Sequence, residues 1–384
     1  MTDPRGPARR YLDNAATSWP KPEAVWTAWE QAARRIGATA GRAAYSEALE
    51  AEAIRGRARA AAARLLGGVA AERVALPAGG TLALNIAIHG LVRVGDHVIA
   101  TAADHNATLR PLSWLARRNV IGLTVVPCDG VGRVDPVAIA AAWRPATRLV
   151  VCSHASNVSG VPQDVAAIAA VAHDRDGILL LDAAQSLGQL PFTSPACGAD
   201  AVAAPAHKWL FGMSGAAVLW MREGLEPDPL VQGGTGTASD ALDMPVDFRA
   251  RLEAGTPDVP ALAALSAAAQ WLDGRSVPEV GATCRALADR CAALLGDVRG
   301  VRVVAAPGGA PIVSFTVEDY DPAEVAALVE QAAGVQVRSG FHCAAAVHEH
   351  LGTAAAGTVR ASFGPFNTLD DVQTLVVAVE SLVA

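Results

Sequence analysis

The stretch RLVVCSHASNVSGVPQDVAAIAAVAHDRDGILLLDAAQ, residues 148–185, decides the fold. Its two apolar runs, 148–153 and 178–181, lack polar alternation, which is the composition of strands buried on both faces of a parallel sheet. Residues 165–175 between them predict a crossover helix. Strand, helix, strand at this pitch gives an α/β layered architecture with right-handed crossovers. Working outward, 97–100 and 123–127 read as further strands with a helix over 109–118 between them, and 199–204 is another apolar run. The uncharged stretch 74–92 contains Pro77, Gly79, Gly80, Asn85 and His89, so it reads as a loop and a buried helix and not as a membrane span.

Beyond about residue 260 the texture changes. Residues 261–272 and 284–295 predict helices, 301–305 and 311–317 strands, 322–333 a helix and 359–363 a strand. That mixture suggests a smaller α+β domain. A chain of 384 residues has room for two or three domains and an ample core. Acidic residues exceed basic ones, 38 to 31, for a formal net charge of −7, against the basic face that a nucleic-acid partner needs. The N-terminus carries charge with no apolar segment after it, so no signal peptide is read. The six cysteines form no CxxC pair that would hold zinc or a disulfide scaffold. The expectation is a cytoplasmic protein with no metal site and neither nucleic acid nor membrane as partner.

Only two of the 31 basic residues are lysines, Lys21 and Lys208, so chemistry that needs an amine has two candidates. Asp182 ends the 178–181 run, at the edge where open α/β sheets bind ligands. Taken alone, a strand-end aspartate is more often a helix N-cap. Lys208, within Ala206-His207-Lys208-Trp209, follows the 199–204 run in the same way, a position that argues against a solvated surface lysine. A carboxylate and an amine at successive strand ends suit pyridoxal phosphate. The lysine holds the aldehyde, and the carboxylate keeps the ring nitrogen protonated so that the ring acts as an electron sink. Lys21, between Pro20 and Pro22 in a turn-prone stretch, is expected not to reach a strand-end site.

Six segments then coincide with one family. YLDNAATSWPKP at 11–22, GGT at 79–81, DAAQS at 182–186, HK at 207–208, EAGTP at 253–257 and RSGFHC at 338–343 together resemble the class V aminotransferase group, and within it the cysteine desulfurases and selenocysteine lyases. The motifs run in order from about residue 11 to 380. The resemblance implies a homodimeric pyridoxal-phosphate enzyme of fold type I. It also implies an N-terminal segment 1–20 packed on the small domain, a large cofactor-binding domain 21–260, and a small domain 261–384 carrying a catalytic cysteine loop.

Residue by residue, the resemblance implies that Lys208 is the Schiff-base lysine, Asp182 the pyridinium partner, Gln185 the hydrogen-bond partner of the ring hydroxyl and His105 the ring that stacks on the cofactor. Gly80 and Thr81 open a helix whose N–H groups, hydroxyl and dipole suit a phosphate. His207 fits the phosphate side, and Thr256 the contribution of the neighbouring subunit. Arg360 matches the arginine that forks the substrate α-carboxylate, a task for a planar bidentate donor. Asn157 falls near the ring hydroxyl and that carboxylate, and Arg338 takes a supporting polar role.

Cys343 separates the activities. A free cysteine is more often a small buried hydrophobe, and Cys284 and Cys291, on one helix face, read as core. Cys343 follows Arg338, Gly340 and His342 in a loop, where cationic neighbours favour a thiolate and the loop leaves it accessible. In the family this thiol attacks the sulfur of cofactor-bound cysteine, takes a persulfide and releases alanine. The selenocysteine equivalent is the alternative substrate, and a protein sulfur acceptor the implied partner. Residues 344–351 run into a helix, so the loop reads as short and restrained. Three positions depart from the family pattern. Pro205 stands where Ser or Thr is usual, Met213 where Pro is frequent, and Asp258 where Asn is common; the first removes a phosphate hydroxyl. Two other readings stay open. One is another class V activity, such as transamination, epimerisation or C–S β-elimination, which needs Lys208 and Asp182 but not Cys343. The other is a non-catalytic sulfur-relay or scaffold subunit.

Overall fold

The computed structural model describes residues 9–304 and 308–383. In chain order its strands are β1 (Arg10–Tyr11), β2 (Val74–Ala75), β3 (His97–Thr101), β4 (Gly122–Val126), β5 (Thr147–Ser153), β6 (Ile178–Asp182), β7 (Ala201–Pro205), β8 (Ala217–Met221), β9 (Val301–Val304), β10 (Ile312–Val317), β11 (Val335–Gln336), β12 (Arg338–Gly340) and β13 (Thr358–Ser362). Seven of them form one sheet in the order β2-β8-β7-β6-β5-β3-β4. Strands β4, β3, β5, β6 and β7 run parallel, and β8 is antiparallel to both of its neighbours.

The stretch 148–185 supplies β5, the Val165–His173 helix and β6, in a register that sets Ser153 beside Asp182 at the carboxyl ends. Every residue of β6 and β7 is buried, which is why their sequences show no polar alternation. Successive side chains of a strand point to opposite faces. Leu149, Val151, Leu180 and Ala203 therefore meet the Gly80–Leu91 and Asn106–Arg117 helices on one side. Val150, Cys152, Leu181 and Ala204 meet the Ser46–Leu65, Val165–His173 and Val259–Asp273 helices on the other.

Strands β12-β13-β10-β9 make a smaller antiparallel sheet. Phe315, Val359 and Phe363 centre its core, closed by the Pro322–Ala333 and Leu369–Val383 helices. Strand β1 pairs in parallel with β11, and Asp13 bridges to Ser362, so the N-terminal segment lies along the smaller unit. It then crosses to the large sheet, where Ser18 N donates to His207 O at 3.0 Å.

Most sequence-predicted segments coincide with elements. A division at 261 assigns the Val259–Asp273 helix to the C-terminal unit, whereas it packs within the large core. The Val277–Gly296 helix touches both cores. Its Val280 and Cys284 belong to the large core, its Leu287, Cys291 and Leu295 to the small one. The Glu23–Arg35 and Ser46–Leu65 helices, both starting without a side-chain cap, were not foreseen, nor was the antiparallel β8. Residues 1–8 of the N-terminal segment, Ala305 of the strand expected at 301–305 and residue 384 lie outside the described residues. Among the described residues no helix is long and apolar enough to cross a membrane.

Candidate active site

The carboxyl ends of β5, β6 and β7 and the start of the Gly80–Leu91 helix enclose a cavity of about 360 Å³. Gly80, Thr81, His105, Asn157, Asp182, Gln185, His207 and Lys208 all line it. Asp182 ends β6, and its Oδ1 accepts from Ala184 N at 2.9 Å, which leaves the other oxygen to the cavity. Burial pushes this carboxyl above its ordinary value, against the Ala184 amide and the charge of Lys208. Burial pushes the Lys208 amine down to about 8, with Asp182 pulling it up and Arg360 and Arg338 pulling it down. Such an amine is partly unprotonated near neutrality and is a competent nucleophile.

The neighbours of this pair are oriented by hydrogen bonds. Gln185 Nε2 donates to Ala15 O at 3.0 Å while its Oε1 accepts from Trp209 Nε1 at 2.7 Å, which fixes which end of the amide faces which way. His105 caps the Asn106–Arg117 helix, its Nδ1 accepting from Ala107 N at 2.9 Å. Burial first, then the charge of Lys208, pushes its ring down to about 4, so it is neutral.

At the opposite end of the cavity the Gly79–Gly80–Thr81 turn presents the free N–H groups of a helix start. A Cβ on Gly80 would lie 3.1 Å from Cβ and Cδ of Pro205, so the turn rests directly on that proline. His207 Nδ1 is buried without a partner, and burial pushes the ring down to about 4. Thr256, in contrast, is exposed and does not line the cavity of its own chain. Glu253 of the same EAGTP segment is a structural anchor. It accepts from Leu76 N at 2.8 Å and from Arg59 Nη1 and Nη2 at 2.6 and 2.9 Å, tying the segment to the chain that enters the glycine turn.

The substrate side comes from the smaller unit. Arg360 on β13 is buried. Its Nη1 donates to Asn157 O and its Nη2 to Asp13 Oδ1, both at 2.9 Å, and its Nε has no partner. Arg338 stands opposite Arg360 in the β12–β13 register, and its Nη2 lies 3.8 Å from Cys343 Sγ. Asn157 Nδ2 donates to His342 O at 2.7 Å, and Asn106 N to Cys343 O at 2.7 Å, so large-sheet loops grip the cysteine loop from both sides. His342 and Cys343 both take the left-handed region, at φ 50° and 59°, where non-glycine residues are strained. Cys343 is the exposed cysteine of the six. It lines a second groove of about 490 Å³ that shares Thr81, His105 and Ala107 with the cavity.

Two expectations need correction. His342 is not a cationic neighbour of the thiol. It is buried with Nε2 2.9 Å from Thr358 Oγ1, and burial pushes its ring down to about 2; the cation beside Cys343 is Arg338. Lys21 does reach the strand-end region, its Nζ donating to His207 O at 2.8 Å. Sequence reasoning also passed over Asp13, within the quoted 11–22 motif, and Asp104. The latter is wholly buried and joins the ends of β3 and β5 by accepting from Thr101 N at 2.7 Å and Ser153 N at 2.6 Å. An acidic residue immediately before His105 was the available signal.

The sequence model of the family described as aminotransferase class-V matches residues 10–375. A protein of Methanothermobacter thermautotrophicus named probable cysteine desulfurase is 33% identical, over 95% of this chain and 92% of its own length. An apo cysteine desulfurase structure from Thermococcus onnurineus NA1 superposes with a TM-score of 0.89 at 28% identity, covering 97% of this chain and 94% of that one. A cysteine desulfurase of Escherichia coli, solved as an S-sulfonic acid, gives 0.87 at 28% identity with the same coverages. The large, mainly parallel α/β layer with a smaller α+β unit, expected from the sequence, is the fold these structures share with the chain.

Proposed function

This chain belongs to the class-V aminotransferase family, and from that premise we propose that it is a pyridoxal-phosphate-dependent cysteine desulfurase that takes the sulfur of L-cysteine onto Cys343 and releases L-alanine. The observation that carries the reading is the placement of Cys343 Sγ, exposed, 3.8 Å from Arg338 and in a groove that shares Thr81, His105 and Ala107 with the Lys208–Asp182 cavity. A transaminase or β-lyase needs the cavity but not that thiol.

The residues present fit the cofactor. The unpartnered His207 Nδ1 and the N–H groups of the glycine turn await an anion, and the free oxygen of Asp182 awaits a cationic ring nitrogen. Lys208 would hold the group covalently, His105 would stack on its ring and Gln185 would face its hydroxyl. When bound, it supplies an electron sink for the substrate carbons.

The remaining work falls to the chain. Arg360 receives the substrate carboxylate through Nε and the hydrogens its present partners leave free, a bidentate fork on a buried guanidinium. Lys208, between Asp182 and the substrate side, moves protons at the substrate carbons. Arg338 meets the charge of the attacking Cys343 thiolate. The step balances without an outside oxidant. An S–S bond forms between Cys343 and the substrate sulfur, the substrate C–S bond breaks, and its electron pair stays on carbon, which takes a proton and becomes the methyl group. The sulfur is oxidised and the carbon reduced, giving a Cys343 persulfide and L-alanine. The selenium analogue would enter by the same contacts. Thr256, exposed on its own chain, completes the phosphate site of a second copy, which makes the working unit a homodimer, and a sulfur-acceptor protein takes the persulfide from the exposed thiol.

The test is incubation of the cofactor-loaded protein with L-cysteine, with assays for alanine, pyruvate and sulfide. Alanine without pyruvate supports the desulfurase. Pyruvate in place of alanine makes it a β-lyase, and an unchanged spectrum with no product makes it a non-catalytic subunit.

A further inference from the structure

We propose that Lys21 is a positioning residue, whose buried side-chain nitrogen pins the peptide immediately before Lys208 and so sets the orientation of the cofactor lysine. Lys21 is 9% exposed. Its Nζ donates to Ser18 Oγ at 2.7 Å and to His207 O at 2.8 Å, and among the described residues no carboxylate pairs with it. The same carbonyl oxygen also accepts from Ser18 N and Thr17 Oγ1, both at 3.0 Å. Two lone pairs are thus crowded by donors from one short segment.

An ammonium buried without a carboxylate lowers stability unless something else requires it. Burial pushes Lys21 down to about 7, and the ionisable group it faces is His207, which is not acidic. A filler of that shape could have been apolar. The feature that accounts for a charge is what the segment touches. On one side of Lys208, residues 17–21 hold the His207 carbonyl; on the other, Trp209 is held through Gln185 to Ala15 O. The same segment carries Asp13, which is bound to Arg360. It therefore runs from the carboxylate-binding arginine to both flanks of the cofactor lysine, and among the described residues Lys21 is the ionisable side chain that attaches it to the Lys208 peptide.

This inference rests on Lys208 being the cofactor lysine, so its test includes a measurement made without cofactor. With two lysines in the chain, lysine labelled with ¹⁵N gives two side-chain nitrogen signals, assigned by substitution. In Lys21→Met the melting temperature should be no lower than in the parent, because a buried nitrogen with no carboxylate partner is gone. The Lys208 nitrogen signal of the cofactor-free protein should shift, and capture of pyridoxal phosphate on Lys208, fixed with borohydride and read by mass, should slow about tenfold, the worth of one hydrogen bond to a charged group. Lys21→Arg, which keeps charge and donors, should recover most of both. An unchanged Lys208 signal and capture rate in Lys21→Met would overturn the proposal. So would a fall in stability that Arg does not repair, since that marks a merely structural residue. If the parent itself never captures the cofactor on Lys208, the functional reading fails while the nitrogen signal still decides the positioning claim.

Discussion

Asp182 and Lys208 stand at the ends of strands that are buried along their whole length, whereas Cys343 stands on a loop that two successive residues traverse in the left-handed region. On the strand side the backbone is unstrained, and the chemistry is tuned by burial: an amine pushed down to about 8 beside a carboxyl pushed up. On the loop side geometry is held by side chains reaching in from elsewhere. Asn157 grips His342 O, and His342 is fastened to Thr358. Gly357 gives way to the loop too, since a Cβ there would run into Gly340 O. The difference teaches where each function is vulnerable. Cofactor binding depends on which atoms the strand ends carry, and sulfur transfer on whether the loop keeps its shape.

The largest expected effect is at the strand end. Lys208→Ala should leave no cofactor fixable by borohydride and no alanine above background, whereas Lys21→Ala should retain attachment at a reduced rate. Cofactor fixed in the Lys208 variant would remove that residue from the centre of the site. On the loop, Cys343→Ser should still bind cofactor and change its spectrum with L-cysteine. Its alanine formation should fall by about 100-fold or more, on the order of what removing one positioned catalytic group costs. A wild-type rate in that variant would join the two halves into a lyase site that never uses the loop. Arg360→Lys lies between them, because it loses the fork and cannot keep both Asn157 O and Asp13. KM for L-cysteine should rise about tenfold or more, from one lost charged hydrogen bond. An unchanged KM would place the substrate carboxylate elsewhere.

The loop side also carries a pH signature. The unfolded value of His342 is near 6.5 and its folded value about 2. Below pH 6.5 the unfolded chain therefore binds a proton that the native loop refuses. The stability contribution of neutral His342 is complete above pH 6.5 and declines as pH falls towards 2, by up to about 1.4 kcal/mol per pH unit. The melting temperature should drop between pH 7 and pH 5, with His105 and His207 adding to the slope, and His342→Gln should flatten it. Equal slopes in the two proteins would restore His342 as a cation beside the thiol. The smallest effect belongs to Pro205. Lacking both an N–H and a hydroxyl, it withholds contacts that a serine would offer to the phosphate, so Pro205→Ser should keep the cofactor up to about tenfold longer during exchange with a small amine. Faster loss would mean that the packing of Pro205 on Gly80 outweighs the missing donor.

How far the sequence was readable follows the same division. Residues 148–185 announce their strands because burial on both faces excludes polar residues, and the strand-end positions of Asp182 and Lys208 follow from where those runs stop. The Glu23–Arg35 and Ser46–Leu65 helices begin at Pro22 and Tyr45 with no side-chain cap, so only the acidic residue in each first turn, Glu23 and Glu47, marks their starts. The Val277–Gly296 helix contributes to two cores, with its two halves facing different ones, which its apolar pattern alone does not reveal. Around the site, a motif identified His342 but not its charge, because burial against Thr358 is a contact between residues distant in the chain. The attachment of Lys21 to His207 O and of Asp13 to Arg360 escaped for the same reason.

The most direct test of sulfur transfer to Cys343 is the mass of the peptide carrying that residue after a single turnover with L-cysteine in the absence of any acceptor. The expected result is a gain of one sulfur atom on Cys343, matched one for one by alanine released, and no gain on Cys128, Cys152, Cys197, Cys284 or Cys291. Alanine produced while Cys343 keeps its original mass, or pyruvate produced in its place, would contradict it.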